Sequence, residues 1–372
     1  MRSLNEKSQI EQPFIGLMSG TSLDGVDAVL VDFSSSQPKT LATAWLPYSA
    51  ALRDQALLLQ SAGNNELHVA ALLANDLARL YAQAVECVLA KTNITAGQVI
   101  AIGCHGQTVR HQPSAGYSLQ INNPALLAEL TKITVVADFR SRDIAAGGQG
   151  APLVPAFHAE VFSSPTQHRL ILNIGGFANL TDLNPASPVR GFDCGPGNIL
   201  MDAWIDTIQG VQYDKGGQWA SEGVISMALL EKLMSDQFFH ASPPKSCGRD
   251  GFNMSWLSQF LSGNERPENI QATLAELTAL TSAQAIRRWC GLPDEIFVCG
   301  GGVHNTMLMS RLQHHLPSCR ITSTDFLGQP ADWVEAVAFA WLAWRTTTGC
   351  PGNLPTVTGA SGSRILGAIY PA

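Results

Sequence analysis

The sequence predicts an α/β protein made of two similar domains. Three observations carry this reading. The chain has 372 residues, more than a single hydrophobic core of ordinary size holds. Each half opens on a short apolar run, a glycine turn and a second apolar run. Each half then continues into short apolar strands alternating with helical stretches. No close sequence repeat exists. The repeated order of elements is what suggests two α/β domains facing each other across a cleft.

In the first half, apolar runs at 14–18 and 26–33 enclose the polar turn Ser19-Gly20-Thr21-Ser22-Leu23-Asp24-Gly25. The flanks are rich in Ile, Val, Leu and Phe and suit adjacent buried strands. A third strand is expected at 40–46, with helices at 52–61 and 67–91. The second helix repeats apolar residues at helical spacing and contains no Gly or Pro. A short strand at 99–102 ends in the loop Gly103-Cys104-His105-Gly106-Gln107-Thr108. Strands at 117–121 and 134–137 flank a helix at 124–130. The polar, glycine-rich stretches 138–143 and 147–152 read as an interdomain linker or a cleft-lining loop.

The second half starts with a strand at 170–174, a glycine turn at 175–179 and a return strand at 180–183. A strand at 189–192 runs into Asp193-Cys194-Gly195-Pro196-Gly197-Asn198, then a helix at 199–209. Helices are expected at 223–234 and 270–289. The strand 295–299 ends in Gly300-Gly301-Gly302, followed by helices at 305–316 and 332–347. The tail returns through Gly and Pro turns to apolar runs near Val357 and at 365–370.

Composition excludes several classes. Hydrophobic residues make up 45% and charged residues 14%, a globular balance without the mark of disorder. A net charge of −7, with no Lys/Arg run, argues against nucleic-acid and anionic-membrane partners. The eight cysteines form no CxxC pair, which disfavours a disulfide framework or a zinc site and suits reduced thiols in the cytoplasm. The first thirteen residues are polar and lack the apolar stretch of a signal peptide. No run of about eighteen apolar residues exists to span a membrane. The sequence also lacks GxxxxGK[ST], GxGxxG after the first strand, GxSxG and HExxH.

Four loops at strand ends could carry chemistry: 19–25, Gly175-Gly176, 193–198 and 300–302. Glycines bare amide N–H groups, and a strand leading into a helix places such groups at the positive end of the helix dipole. In the first loop, Ser19, Thr21 and Ser22 add hydroxyls, and Asp24 and Asp27 add carboxylates. A turn of this composition can hold phosphate oxygens and place a carboxylate near the accompanying metal ion. Each loop taken alone would equally serve as a plain turn. Asp193, where the chain leaves a strand, suits a general base in phosphoryl transfer, or a cap on the following helix. Glu335 lies in the first turn of an apolar helix, where a negative charge is also favourable for the dipole. His105 and Gln107 follow a buried strand, a place for ligand contacts or for a hydrogen-bonded turn. His314 and His315 read as the exposed face of a helix.

Taken in order, MSGTSLDGVDAVL, AIGCHGQTVRH, DFRSRDIAAGGQGAPLVPAFH, LNIGGFANL, GFDCGPGN, PKSCGRDGFN, CGGGVHN and VEAVAFAWLAWR resemble the anhydro-N-acetylmuramic acid kinase family. The resemblance covers about residues 14–372. That family belongs to the actin/hexokinase/Hsp70-like superfamily of two-domain ATP-binding proteins. The resemblance therefore implies two similar actin/ribonuclease-H-like domains, mixed sheets flanked by helices, around a central nucleotide cleft. Residues 1–137 with 352–372 would form domain I, and 138–351 domain II.

The implied reaction uses ATP and water to open 1,6-anhydro-N-acetylmuramic acid and phosphorylate O6 in cell-wall recycling. Another sugar or carboxylate kinase of the same superfamily is the alternative. The resemblance makes Asp193 the catalytic base and gives Glu335 the sugar or the water. It assigns Gly20, Thr21, Ser22, Leu23, Asp24, Gly25, Val26 and Asp27 to nucleotide; the reading of the glycine loops adds Gly175, Gly176 and Asn179 for the phosphates and Gly300, Gly301, Gly302 and Asn305 for the base or ribose. It assigns His105, Gly106, Gln107, Thr108, Arg140 and Gly195 to the sugar. Arg140, Arg142 and Arg249 are candidates for the lactyl carboxylate. Magnesium (Mg2+) falls to Asp24 and, through water, Asp193. The implied partners are the anhydro-amino sugar and ATP, without nucleic acid or membrane, with room for a homodimer. Two departures stand out. Cys194 replaces a Thr after the catalytic Asp, and Cys247-Gly248-Arg249-Asp250 replaces Thr-Gly-Arg-Glu.

Overall fold

The computed structural model describes residues 12–372, which form two compact units, residues 12–157 with 333–372 and His158–Asp332. The polar opening stretch, apart from its last two residues, lies outside the described residues. In chain order the strands are β1 (Pro13–Ser19), β2 (Gly25–Asp32), β3 (Lys39–Pro47), β4 (Ala101–Gln112), β5 (Tyr117–Ile121), β6 (Val135–Ala137), β7 (Arg169–Ile174), β8 (Phe177–Leu183), β9 (Arg190–Pro196), β10 (Glu295–Cys299), β11 (Arg320–Ser323) and β12 (Ala368–Tyr370).

The sheet of the first unit runs β12-β6-β4-β1-β2-β3, with β5 paired to β4. β1, β2 and β3 form an antiparallel meander, and β4 and β6 lie parallel in line with β1. The helix Glu66–Leu89 buries Leu73, Leu77, Tyr81, Val85 and Val88 in a core shared with Ile15, Leu17, Val26, Ala28 and Leu30. Its helical spacing of apolar residues is what lays that stripe on the sheet. Side chains alternate along a strand, so Gly16, between Ile15 and Leu17, faces the other way. There it meets the helix Val334–Thr347. A Cβ on Gly16 would stand 1.9 Å from the carbonyl oxygen of Ala336, and one on Gly103 1.9 Å from that of Phe339. Gly16 and Gly103 are register partners on β1 and β4. Together they form a trough in which the helix backbone rests directly on the sheet.

This trough corrects the expected boundaries. The helix Val334–Thr347 and residues 138–157 belong to the first unit, not the second. Residues 138–152 are not a linker either. They contain the helix Ser141–Ala145, whose buried Asp143 accepts hydrogen bonds from Gly150 N–H (2.8 Å), Thr358 Oγ1 (2.7 Å) and Asn353 Nδ2 (2.6 Å).

The sheet of the second unit runs β11-β10-β7-β8-β9. β7, β8 and β9 form an antiparallel meander, and β10 and β11 are parallel to β7. Both units thus share one plan: a meander whose first strand is extended sideways by parallel strands. The core of the second unit gathers Leu170, Leu172, Leu180 and Ile296 with Leu274 and Leu277 of the largely buried helix Pro267–Ala285. The helix Thr306–His315 also packs there. His315, expected on the surface, is half-buried and holds Glu276 at 2.8 Å beside Arg311 at 2.9 Å, while His314 is exposed. Among the described residues, no helix is long and apolar enough to cross a membrane.

Candidate active site

β1, β7 and β10 each end where a glycine turn begins, at the end of the strands where such sheets bind ligands. In the first unit β1 leads into the turn 20–24. Thr21, Ser22 and Asp24 are exposed there. Leu23, also expected at nucleotide, is 2% exposed, with a left-handed φ of 57°. Gly25 and Val26 are buried strand residues, and Asp27 is half-buried on β2. The side chains of Leu23 and Val26 therefore belong to the core, which leaves only their backbone for a ligand.

His105, Gly106, Gln107 and Thr108 were expected in a loop. They lie inside β4, which continues to Gln112. The register shifts here, from Leu17↔Cys104 to Ser19↔Gln107, and Gly106 takes φ 79°. Such a bulge re-aims side chains without ending the strand. His105 is buried, and its Nε2 accepts from Arg140 Nη2 at 2.9 Å. Burial, helped by the Arg140 charge, pushes the imidazole down to about 3, so it stays neutral. Arg140 also donates to Gly150 O at 2.8 Å. Burial lowers its guanidinium to about 10, and it keeps its charge near neutral pH. Glu335 is half-buried in the first turn of its helix, its carboxyl raised by burial while the positive Arg140 pulls the other way. His105, Arg140 and Glu335 thus form one group. Arg142 and Arg249 are exposed. Gln107, expected at the sugar, is fully buried, with its amide bonded to Tyr48, Gly20 and Thr108. The Oγ1 of Thr108 accepts from Gln120 at 3.1 Å.

In the second unit, Asp193 to Pro196 were likewise expected in a loop and are strand residues of β9. Asn179 on β8 is the register partner of Asp193, and the register shifts between Ala178 and Asn179. Asp193 N–H donates to Lys245 O at 3.1 Å, and its Oδ2 accepts the Cys247 N–H at 2.9 Å. The segment 245–247 therefore holds the carboxylate from the side. Burial pushes Asp193 up to about 6, against the lowering effects of the Cys247 N–H and thiol and the Lys245 charge. A carboxylate poised there accepts a proton readily at neutral pH. Cys194 is buried next to it. Lys245, which the sequence reading passed over, donates to Phe238 O at 2.9 Å and sits over the Phe238 ring. Its only signal was its place in PKSCGRDGFN.

Gly175 and Gly176 form the turn between β7 and β8, but Phe177 and Asn179 are already strand. The N–H groups of Gly197, Asn198 and Ile199 donate to the Gly176, Gly175 and Gly176 carbonyls at 2.9, 2.8 and 3.1 Å. The loop 193–198 is therefore not an anion site of bare helix N–H groups. Those donors already have partners. Gly195 lies against the Phe239 ring. Gly300, Gly301 and Gly302 follow β10, with Gly300 N–H bonded to Ala331 O at 2.9 Å. Asn305, expected at nucleotide, is the buried cap of the helix Thr306–His315, its Oδ1 accepting Leu308 N–H at 3.0 Å.

Among the described residues, no three His, Cys, Asp or Glu side chains gather as a ready metal cage. Magnesium keeps several waters and is commonly held by one or two carboxylates together with substrate phosphates. The exposed Asp24 is a hard oxygen donor of the right kind.

Two sheets of one topology, each carrying a glycine turn after its first strand, define the actin- and ribonuclease-H-like class of two-unit α/β proteins. The sequence model of one family in that class, described as anhydro-N-acetylmuramic acid kinase, matches residues 12–372. The chain belongs to the anhydro-N-acetylmuramic acid kinase family. It is 55% identical to the anhydro-N-acetylmuramic acid kinase of Nitrosomonas europaea over 361 residues, 96% of this chain and 99% of that one. It is 54% identical to that of Thiobacillus denitrificans, over 97% of this chain and 98% of the relative. Among solved structures, the activator of the 2-hydroxyisocaproyl-CoA dehydratase from Clostridium difficile, with bound ADPNP, aligns with a TM-score of 0.46 and 13% identity, covering 90% of this chain and 97% of that one.

Proposed function

We propose that this protein is an ATP-dependent kinase that opens 1,6-anhydro-N-acetylmuramic acid with water and phosphorylates O6, giving N-acetylmuramic acid 6-phosphate and ADP for peptidoglycan recycling. The observation that carries the mechanism is Asp193, a half-buried carboxylate fixed by the Cys247 N–H and pushed up to about 6. Asp193 takes a proton from the water that attacks C1 of the sugar. The C1–O6 bond breaks, its electron pair stays on O6, and O6 attacks the γ-phosphate while the bond to ADP breaks. The water oxygen ends on C1. Glu335 and Arg140, with neutral His105, orient the sugar and the water. Arg140 supplies the cation for the lactyl carboxylate. Gly106, Thr108 and Gly195 complete the sugar contacts.

The turn 20–24 and Asp27 take the phosphates. Gly175, Gly176 and Asn179 take the phosphate side of the nucleotide in the second unit, and the Gly300-Gly301-Gly302 loop its adenosine. Magnesium, held by Asp24 and through water by Asp193, would neutralise charge on the phosphoryl oxygens. Use of ATP supports a cytoplasmic setting, as does the lack of any disulfide among the eight cysteines.

The test is ADP release on the anhydro-sugar against ordinary N-acetylmuramic acid, with product mass and labelled water. We expect turnover on the anhydro-sugar alone, with the label at C1. Asp193→Asn should keep ATP affinity and lose about 10²- to 10⁴-fold in turnover. Near-normal turnover by Asp193→Asn would remove the base from Asp193.

A further inference from the structure

We infer that Tyr48 and Gln107 form a hydrogen-bonded clamp that fixes the turn 20–24 for the phosphates of ATP, so that Gln107 acts on the nucleotide side of the reaction and not on the sugar. This rests on the reading of that turn as the phosphate site.

The turn is poorly supported by its own backbone. The Leu23 N–H reaches Gly20 O at only 3.4 Å, and Leu23 holds a left-handed φ that a branched side chain resists. Its two ends are held from outside. Gln107 Nε2 donates to Gly20 O at 3.1 Å. Tyr48 N–H donates to Asp24 O at 2.9 Å. The Tyr48 hydroxyl then donates to Gln107 Oε1 at 3.0 Å. The chain of contacts thus runs from Gly20 through Gln107 and Tyr48 to Asp24, closing a ring around the turn.

The amide orientation of Gln107 follows from its partners. Nε2 faces two carbonyls, Gly20 O and Thr108 O at 3.3 Å, so it must be the donor end. Both amide N–H groups have partners, and the residue is fully buried. No donor remains for a sugar hydroxyl. A second contact braces the strand that feeds the turn: the buried Ser19 hydroxyl meets the Tyr81 hydroxyl at 3.0 Å. Burial raises both tyrosines, Tyr48 to about 12, so both remain neutral hydroxyls at working pH.

A turn that presents backbone N–H groups to phosphate gains affinity when it is held in the bound shape beforehand. Tyr48 and Gln107 are accordingly positioning residues. The discriminating measurement is a split between the two substrates. Tyr48→Phe removes one hydroxyl from a half-buried ring and should fold normally. It is expected to raise KM for ATP, and the Kd for a non-hydrolysable ATP analogue in calorimetry, about three- to tenfold. KM for the anhydro-sugar should not move. Gln107→Glu keeps the shape but puts an acceptor against Gly20 O, so a larger ATP effect is expected, with the fold checked by circular dichroism. A rise in sugar KM with unchanged ATP affinity would return Gln107 to the sugar site and overturn the clamp. Unchanged values for both substrates in Tyr48→Phe would also overturn it. Failure of the wild-type protein to bind the analogue would instead overturn the phosphate reading beneath it.

Discussion

The two units share a sheet plan but use its first turn in opposite ways. In the first unit β1 and β2 are joined by the polar turn 20–24, with Thr21, Ser22 and Asp24 exposed. In the second, β7 and β8 are joined by Gly175 and Gly176 alone. The long turn has carbonyls beyond the reach of the ladder, and Gln107 and the Tyr48 N–H supply their donors. The short turn turns its carbonyls toward Gly197, Asn198 and Ile199 at the start of a helix. The candidate carboxylate of this unit comes instead from the third strand, where Asp193 is held by Cys247. One topology thus yields a turn that offers backbone and hydroxyl groups and a strand that offers a carboxylate. The fold fixes where the ends of strands lie, and local hydrogen bonding decides what each end can do.

The largest difference between the units lies under the sheet. Gly16, fourth in β1, pairs with Gly103, and the helix Val334–Thr347 rests on both. The fourth residue of β7 is Leu172, paired with Val298 in an ordinary side-chain core. Gly103→Val must push the helix off the sheet, and Glu335, in the first turn of that helix, moves with it. We expect a loss of about 3 kcal/mol, roughly 10 °C in Tm, with a marked fall in activity. Leu172→Val should cost about 1 kcal/mol and leave activity near normal. Thermal melts of the two variants that proved equal would show that the trough has no special place in the first unit.

The same contrast explains what the sequence made legible. β5, β10 and the helix Ile199–Gln209 fall where apolar spacing puts them, because each is bounded by turn residues and has a uniform apolar face. The paired order of elements in the two halves was readable for that reason. β4 and β9 were read too short. At their ends, His105, Gln107, Asp193 and Gly195 break the apolar pattern, yet the ladder continues because bulges and distant partners satisfy the polar groups. Those strand ends hold the candidate site residues, and pattern reading fails there first. Asp143 illustrates the other limit. Its partners Asn353 and Thr358 lie more than two hundred residues along the chain, and no local signal marks them. Tyr48 lies between the expected strand 40–46 and helix 52–61, Tyr81 lies within the expected helix 67–91, and only the structure joins them to the turn.

Asp193 should also give the second unit a response to pH. Asp193 must be ionised to take a proton, and burial holds it at about 6 against the pull of Cys247 and Lys245. As pH falls from 7 to 5 it protonates, and kcat/KM should drop about tenfold with a midpoint near pH 6. For stability the sign is reversed. The folded state prefers the protonated form, so the contribution of Asp193 is fully present below the ordinary aspartate range and is lost as pH rises through about 6. Asp193→Asn should therefore melt higher than wild type at pH 8, and the difference should shrink at pH 4. An acidic limb far below pH 6, together with no gain in melting temperature at pH 8, would show that the carboxylate is more open to water than its setting indicates.

The smallest effect concerns Asn305, and it tests whether the loop Gly300-Gly301-Gly302 of the second unit is braced as the first unit's turn is. Asn305 follows Gly302 and was expected to meet the nucleotide. Its Oδ1 instead accepts the Leu308 N–H at 3.0 Å, and the residue is 8% exposed. An N-cap of this kind contributes about 1 kcal/mol to its helix. Asn305→Ala should therefore lower the melting temperature by a few degrees and weaken ATP binding only as far as the loop loosens, by about threefold or less. Asn305→Asp keeps the accepting oxygen at the helix start and should retain both the stability and the affinity of wild type. The side-chain amide is the feature Asp lacks, so a nucleotide contact through its N–H groups would make Asn305→Asp the more damaging change for ATP. Calorimetric titration of the two variants with the same ATP analogue reads the order directly. Alanine worse than aspartate places Asn305 in the support of the loop, and the reverse order places it at the nucleotide.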